Sequence, residues 1–200
     1  MAQRHRTTRG LFQVALLLAT AAAPPVRAAD DAAPAPEIAA GAEIDLLPIA
    51  LSAIDGHLGG GANVWVGRGH LRLRAVGTYV AFPPGLTPSG FQDRELAVAA
   101  GIVDVFLRPG FEGPWLGAGL ERWWNRVASP AGPGTASWSS GVATLGGGYV
   151  WRVWRGLYLN PWGAGHLLLS EPEVTLHGAT WKPAKLAGEV SLKIGWQFGS

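Results

Sequence analysis

From Leu186 to Phe198 the chain alternates without a break. Leu186, Gly188, Val190, Leu192, Ile194, Trp196 and Phe198 fall on one face, and Lys185, Ala187, Glu189, Ser191, Lys193, Gly195 and Gln197 on the other. Successive side chains of a pleated strand point to opposite sides, so a period of two over this length is that of a strand with one apolar and one polar face. The pattern is not confined to the C-terminus. Eight extended segments are predicted, at residues 43–53, 58–67, 70–82, 93–107, 113–125, 137–151, 156–169 and 184–198. Most reach the roughly 9–11 residues that a tilted strand needs to cross a hydrocarbon layer. Gly and Pro interrupt every window long enough for a helix, no stretch after residue 40 keeps a 3.6-residue apolar stripe, and the segments share no clear repeat. An all-β domain follows, and a propeller or solenoid does not.

The N-terminus sets the compartment. Arg4, Arg6 and Arg9 form a positive start, Leu11 to Ala23 is an apolar run too short to span a bilayer, and Val26-Arg27-Ala28 places small residues before a cut expected between Ala28 and Ala29. These are the parts of a secretion signal, so residues 1–28 are read as a cleaved signal peptide. Residues 29–42, with Asp30, Asp31, Pro34, Pro36 and Glu37, are read as a disordered linker, and residues 43–198 as the folded domain. The chain has no cysteine, so neither a lipoprotein attachment site nor a disulfide is available.

Loss of the signal reverses the charge balance. The full chain has 16 Lys+Arg and 14 Asp+Glu, but Arg4, Arg6, Arg9 and Arg27 leave with the signal, and the mature part then has an acidic excess of two. Nucleic acid, which is bound by neutralising phosphates, is therefore not an expected partner. Charged residues are only 15% of the chain, against 29 Gly and 10 Trp. Soluble domains carry about a quarter charged residues, which points to a surface that water does not cover.

Connection lengths alternate as well. The links after segments two, four and six (67–69, 108–113 and 152–155) are short, whereas those after three, five and seven (83–92, 126–137 and 170–183) are long. Short turns alternating with long loops characterise barrels that cross a membrane, with the turns in the periplasm. Trp115, Trp123, Trp124, Trp138, Trp151, Trp154 and Trp196 fall near segment ends, where amphipathic rings form aromatic girdles at the lipid–water boundary. The fold class expected is an eight-stranded antiparallel up-and-down transmembrane β-barrel. Its main rival, a soluble lipocalin-like barrel, has the opposite polarity, apolar inside and polar outside.

With its strand number, loop asymmetry, aromatic ends and final Gly195-Trp196-Gln197-Phe198, nearly all of the mature chain resembles small eight-stranded outer-membrane barrels of the OmpA, OmpX and OmpW kind. The resemblance implies residence in the bacterial outer membrane, contact with its lipid, and a last strand read by the barrel-assembly machinery, with Trp196 and Phe198 as the signal. In this chain Gly199 and Ser200 follow the terminal aromatic.

In so narrow a barrel side chains fill the lumen and inward charges must pair. Arg72 and Arg74 share a face, Glu121, Glu189 and Lys193 are able to point the same way, and Asp45 lies near the closure seam within reach of Lys193. These six form the expected lumen polar network, with Gly117, Gly119, Gly146 and Gly148 leaving room for long side chains. Glu95 and Asp104 have opposite parity, so only one of them faces in. Such a cluster serves as a structural polar plug or as a proton or ion path.

No catalytic set is assigned. Some eight-stranded barrels of the outer membrane are lipid A hydrolases or acyltransferases, which draws notice to His166 and Ser170, but their spacing is nonspecific and Glu171 alternates away from them. His57, His70 and His177 are too dispersed for a metal site, and Gly59-Gly60-Gly61 and Gly146-Gly147-Gly148 lack the helix that would hold a phosphate. No cofactor or metal is expected. Three functions remain: a non-enzymatic envelope barrel, structural or interacting through its outer loops; a barrel that binds or passes a small apolar molecule, suggested by Leu86, Phe91, Val174 and Trp181 in the long loops; and a lipid A-modifying enzyme.

Overall fold

The computed structural model describes residues 38–54 and 56–199. The signal peptide and residues 29–37 of the linker lie outside the described residues. Eight strands close into one antiparallel barrel: β1 (Ala39–Asp45), β2 (Gly60–Arg68), β3 (Leu71–Ala81), β4 (Gln92–Phe106), β5 (Gly113–Ala128), β6 (Thr135–Trp154), β7 (Leu157–Leu168) and β10 (Leu186–Phe198). Each pairs with its neighbour in sequence, and β1 closes on β10 in the register Ala40↔Phe198 to Asp45↔Lys193. Closure leaves no free sheet edge, and the strands pair along the ladder apart from irregularities at Gln92–Glu95, Tyr149–Val150 and Arg152–Trp154. Two short strands, β8 (Val174–Leu176) and β9 (Ala179–Trp181), form a separate hairpin in the last long loop.

The first segment departs from the sequence reading. Its strand begins at Ala39, inside the expected linker, and ends at Asp45, where the helix α1 (Leu46–Ala53) replaces the second half of the expected strand. Asp45 caps α1 by accepting from Leu47 N at 3.2 Å, and Pro48 sits in the first turn, where its missing N–H leaves no bond unmade. The run Leu46-Leu47-Pro48-Ile49-Ala50-Leu51 is apolar throughout and so shows neither a stripe nor an alternation. The helix lies at the long-loop end of the barrel, where Pro48 and Ser52 are buried and the Ser52 hydroxyl accepts from Ala81 N at 3.1 Å.

The two faces of the barrel differ in polarity. Outward positions carry Ile44, Val64, Leu73, Val103, Leu116, Leu145, Val190, Leu192 and Ile194, all substantially exposed. Charges on this face stand only toward the rims, at Arg68, Glu95, Arg122 and Arg126. Glu95 faces out, with its Oε2 3.7 Å from Arg126 Nη1, whereas Asp104 is fully buried inside, which decides the parity question on β4. Trp124, Trp151, Trp154 and Trp196 stand on the outer face, Trp154 and Trp196 edge to face at 6.4 Å.

The girdle expectation fails for the other three tryptophans. Trp115 is buried in the lumen, where its Nε1 donates to Asn160 Oδ1 at 3.0 Å. Trp123 faces inward and donates to Glu121 Oε2 at 2.5 Å. Trp138 packs on Trp181 at the long-loop end, with ring centroids 5.3 Å apart. All three have the inward parity of their strands, and on β5 Trp115 and Trp123 share that parity with Glu121.

The facing yields a testable energy difference. Val190→Arg places a charge on the outer face near mid-strand and is expected to cost about 2–4 kcal/mol when the protein is unfolded by urea from lipid vesicles. The same change at the exposed loop residue Ser89 is expected to cost near zero. Equal effects at the two sites would contradict the assigned facing.

Candidate functional site: the barrel lumen

The short-turn end of the lumen is plugged. Ala39, Trp65, Phe106, Phe111, Trp115, Val150 and Tyr158 form one buried cluster there. Phe111 reaches it from the turn between β4 and β5 in a left-handed conformation, φ 61°, that puts its ring 5.3 Å from Trp65 and 5.4 Å from Phe106. A non-glycine residue in that region is uncommon, and here it inserts the ring into the barrel mouth.

Directly above the aromatics sits a buried charge cluster. Asp104 accepts from Arg72 Nε at 2.8 Å and from Arg74 at both oxygens, at 2.7 and 2.9 Å. Arg72 Nη1 reaches Glu43 Oε1 at 3.2 Å, and Asn63 and Asn160 each donate to Glu43 at 3.0 Å. The Arg72 guanidinium also lies over the Phe106 ring at 4.8 Å. The cluster thus draws β1, β2, β3, β4 and β7 together across the lumen. Gly117 on β5 makes this possible, because a Cβ there would collide with Asp104 Oδ1.

A second group forms at the seam. Lys193 Nζ lies 3.9 Å from Asp45 Oδ2 and 3.7 Å from the centre of the Trp162 ring, and Trp162 Nε1 donates to Asp45 Oδ2 at 3.1 Å. A third group lines the middle of β5, β6, β7 and β10. Thr144 donates to Glu121 Oε1 at 2.6 Å and stands 2.8 Å from His166 Nδ1, while His166 Nε2 lies 3.4 Å from Glu189 Oε1 without hydrogen-bond geometry.

The six expected lumen residues therefore all face inward, but they do not form a single network. Arg72 and Arg74 belong to the cluster around Asp104, Asp45 and Lys193 to the seam, and Glu121 and Glu189 to the group around His166. Glu43, Asn63, Asp104, Asn160 and Thr144 were not among the expected members. Strand alternation carries the signal for each of them, since Glu43 shares parity with Asp45 and Asn160 with Tyr158 and Trp162.

The expectation of a filled lumen is correct only for the short-turn half. Above the Asp104 cluster lies a cavity of about 430 Å³. Its β3–β4 wall is mostly aliphatic, with Val76, Val80, Leu96, Val98 and Ile102 around Thr78, and its opposite wall carries Glu121, Thr144, His166 and Glu189. Leu47 and Leu51 of α1 line its upper side. At the long-loop end Phe91, Val127 and Val174 bury one another, with Trp138, Leu176 and Trp181 packed against them, so the apolar loop residues Phe91, Val174 and Trp181 pack with one another. In that loop the hydrogen bond from Lys185 Nζ to Glu171 Oε1, 2.8 Å, holds the Glu171 carboxyl below its usual range.

The residues noted for catalysis do not assemble. Ser170 is exposed beyond the end of β7, and Glu171 is bound to Lys185. The Thr144 hydroxyl gives its hydrogen to Glu121, so His166 is not placed to activate it. His70 and His177 each bond a backbone carbonyl, of Phe106 and Pro133. No group of three metal-ligating side chains is found among the described residues.

No protein-family model and no curated protein matches the chain. Among solved structures it is similar to a major outer membrane protein from Thermus thermophilus, with a TM-score of 0.47 and 12% identity over 80% of this chain and 98% of that one. It is also similar to Neisserial surface protein A (NspA), with a TM-score of 0.41 and 12% identity over 80% of this chain and 94% of that one. The assignment as a closed eight-stranded barrel rests on the strand pairing itself.

The charge cluster has a clear energetic signature. Asp104→Ala leaves two arginines buried without their carboxylate and is expected to destabilise the barrel by about 3–5 kcal/mol, against about 0–1 for a solvated pair. Glu189 is 35% exposed toward the cavity, so Glu189→Ala is expected to fall well below Asp104→Ala in the same urea titration. Equal losses at the two positions would contradict the division into separate groups.

Proposed function

We propose that the protein is an integral, non-enzymatic β-barrel of the bacterial outer membrane, closed at its periplasmic end and presenting a lumen cavity toward the outside. The observation that carries this reading is the polarity of the closed barrel: an apolar exterior, with its charges toward the rims, around buried, paired charges. Soluble monomers rarely expose apolar patches above a few hundred Å², and a soluble barrel with a ligand cavity has the reverse arrangement. In lipid the exterior needs no water, and closure pairs the strand edges that an open sheet would leave free.

Short turns at one end and longer loops at the other orient the barrel, with Phe111 and its aromatic partners on the periplasmic side. Trp196 and Phe198 stand on the outer face at the end of β10, opposite Ala42 and Ala40 of β1, where an assembly machine can read them as the last strand pairs. The plug argues against a continuous pore. The cavity above it favours the second reading, a barrel that binds a small molecule with substantial apolar surface, over a purely structural role.

Two measurements test this. In an expressing Gram-negative cell the mature chain is expected in the outer-membrane fraction, with heat-modifiable gel mobility; recovery from the periplasm without detergent would refute membrane residence. In planar bilayers the wild-type barrel is expected to show little steady conductance, and a large stable conductance would reject the plug. Release of fatty acid from lipid A by the purified protein would instead establish the enzymatic alternative.

A further inference from the structure

The long-loop end of the cavity holds a cation that forms no ion pair among the described residues. Arg94 heads the inward-facing row of β4 that continues through Leu96, Val98, Ala100 and Ile102, and all five line the cavity. Its guanidinium carbon lies 3.9 Å from the centre of the Phe82 ring and 5.1 Å from that of Trp181. Nη1 donates to Leu86 O at 3.1 Å, while Nε is buried and has no hydrogen-bond partner. Among the described residues no carboxylate forms an ion pair with Arg94, and the adjacent Glu95 faces outward to Arg126. A guanidinium held between rings and away from bulk water, with an N–H unbonded, favours an anion that supplies both charge and acceptors.

The rest of the cavity narrows the chemistry of that anion. Below Arg94 the β3–β4 wall is aliphatic apart from Thr78, which suits a flexible hydrocarbon chain. Across the lumen two carboxylates, Glu121 and Glu189, share the single imidazole of His166, so this level repels an anionic head group. The other cations on the lining already have carboxylates, Arg74 with Asp104 and Lys193 with Asp45, which leaves the head group to Arg94 and the chain to the aliphatic wall.

We propose that the cavity binds a medium-chain aliphatic carboxylate, its head group paired with Arg94 and its chain laid along Val76, Val80, Leu96, Val98 and Ile102. The inference rests on the reading of the lumen as open to the outside and closed toward the periplasm. Nothing in it requires passage through the barrel, because the Asp104 cluster lies beneath the chain's end.

The test uses the full mature chain folded into phosphatidylcholine nanodiscs and titrated calorimetrically with octanoate, octanol and octylamine, with empty discs subtracted. Octanoate is expected to bind saturably, one per barrel, and about tenfold or more tightly than either analogue, as loss of one charge-assisted pair implies. Arg94→Gln is expected to remove that preference and leave octanol unchanged, and Val98→Phe to weaken octanoate by occupying the wall. No saturable octanoate binding, equal binding of octanoate and octanol, or an octanoate affinity untouched by Arg94→Gln would each overturn the proposal. Preference for octylamine would overturn it as well, and would move the ligand to the Glu121–Glu189 wall. Heat-modifiable migration of the same samples reports the barrel separately, so a folded barrel that ignores octanoate refutes the ligand and leaves the membrane reading standing.

Discussion

The pairing of β1 with β10 is the constraint on which everything else depends. Once Ala40 lies opposite Phe198 and Asp45 opposite Lys193, the sheet has no edge, and each strand residue belongs either to the outer face or to the lumen. A slip of one residue at this seam would turn Lys193 and Glu189 outward and Val190 and Ile194 inward. The apolar outer face and the inward charges therefore hold the register from both sides. The seam salt bridge between Asp45 and Lys193 fixes it at the loop end, where Asp45 also starts α1.

Within the closed barrel, function follows from how the lumen is divided along its length. Aromatics seal the short-turn mouth, the Asp104 cluster seats on them, and the cavity lies above that level. Lumen charges that are removed from water must be paired or held by hydrogen bonds, and Arg72, Arg74, Asp104 and Glu43 meet that condition together. The group around His166 is looser and faces the cavity. Arg94 at the long-loop end has no ionic partner among the described residues, which is why the proposed carboxylate is placed there.

Much of this arrangement is legible in the sequence, because period two is a strict rule in a barrel. Seven of the eight strand positions, the facing of β10, the turn and loop asymmetry and the inward orientation of Arg72, Arg74 and Lys193 all follow from alternation. The same rule, applied to Trp115 and Trp123, places them inside beside Glu121; nearness to a strand end is a weaker guide, since a lumen plug also gathers aromatics at its ends. Other features are not legible. Helix α1 is uniformly apolar, so its periodicity is silent, and only the Asp45 cap and Pro48 in the first turn mark it in retrospect. The grouping of six inward charges into three clusters, and the cavity between them, depends on which strands are adjacent and at what height. Alternation on a single strand does not encode that.

The central claim, that the outer face meets lipid and the inner face does not, is tested most directly by a scan of β10. The chain has no cysteine, so single cysteines placed one at a time from Gly188 to Trp196 can be spin-labelled without background. With the protein in lipid vesicles, collision with lipid-soluble oxygen is expected to rise and fall with a period of two, high at Val190, Leu192 and Ile194 and low at Glu189, Ser191 and Lys193. A flat profile, or one in the opposite phase, would contradict the account.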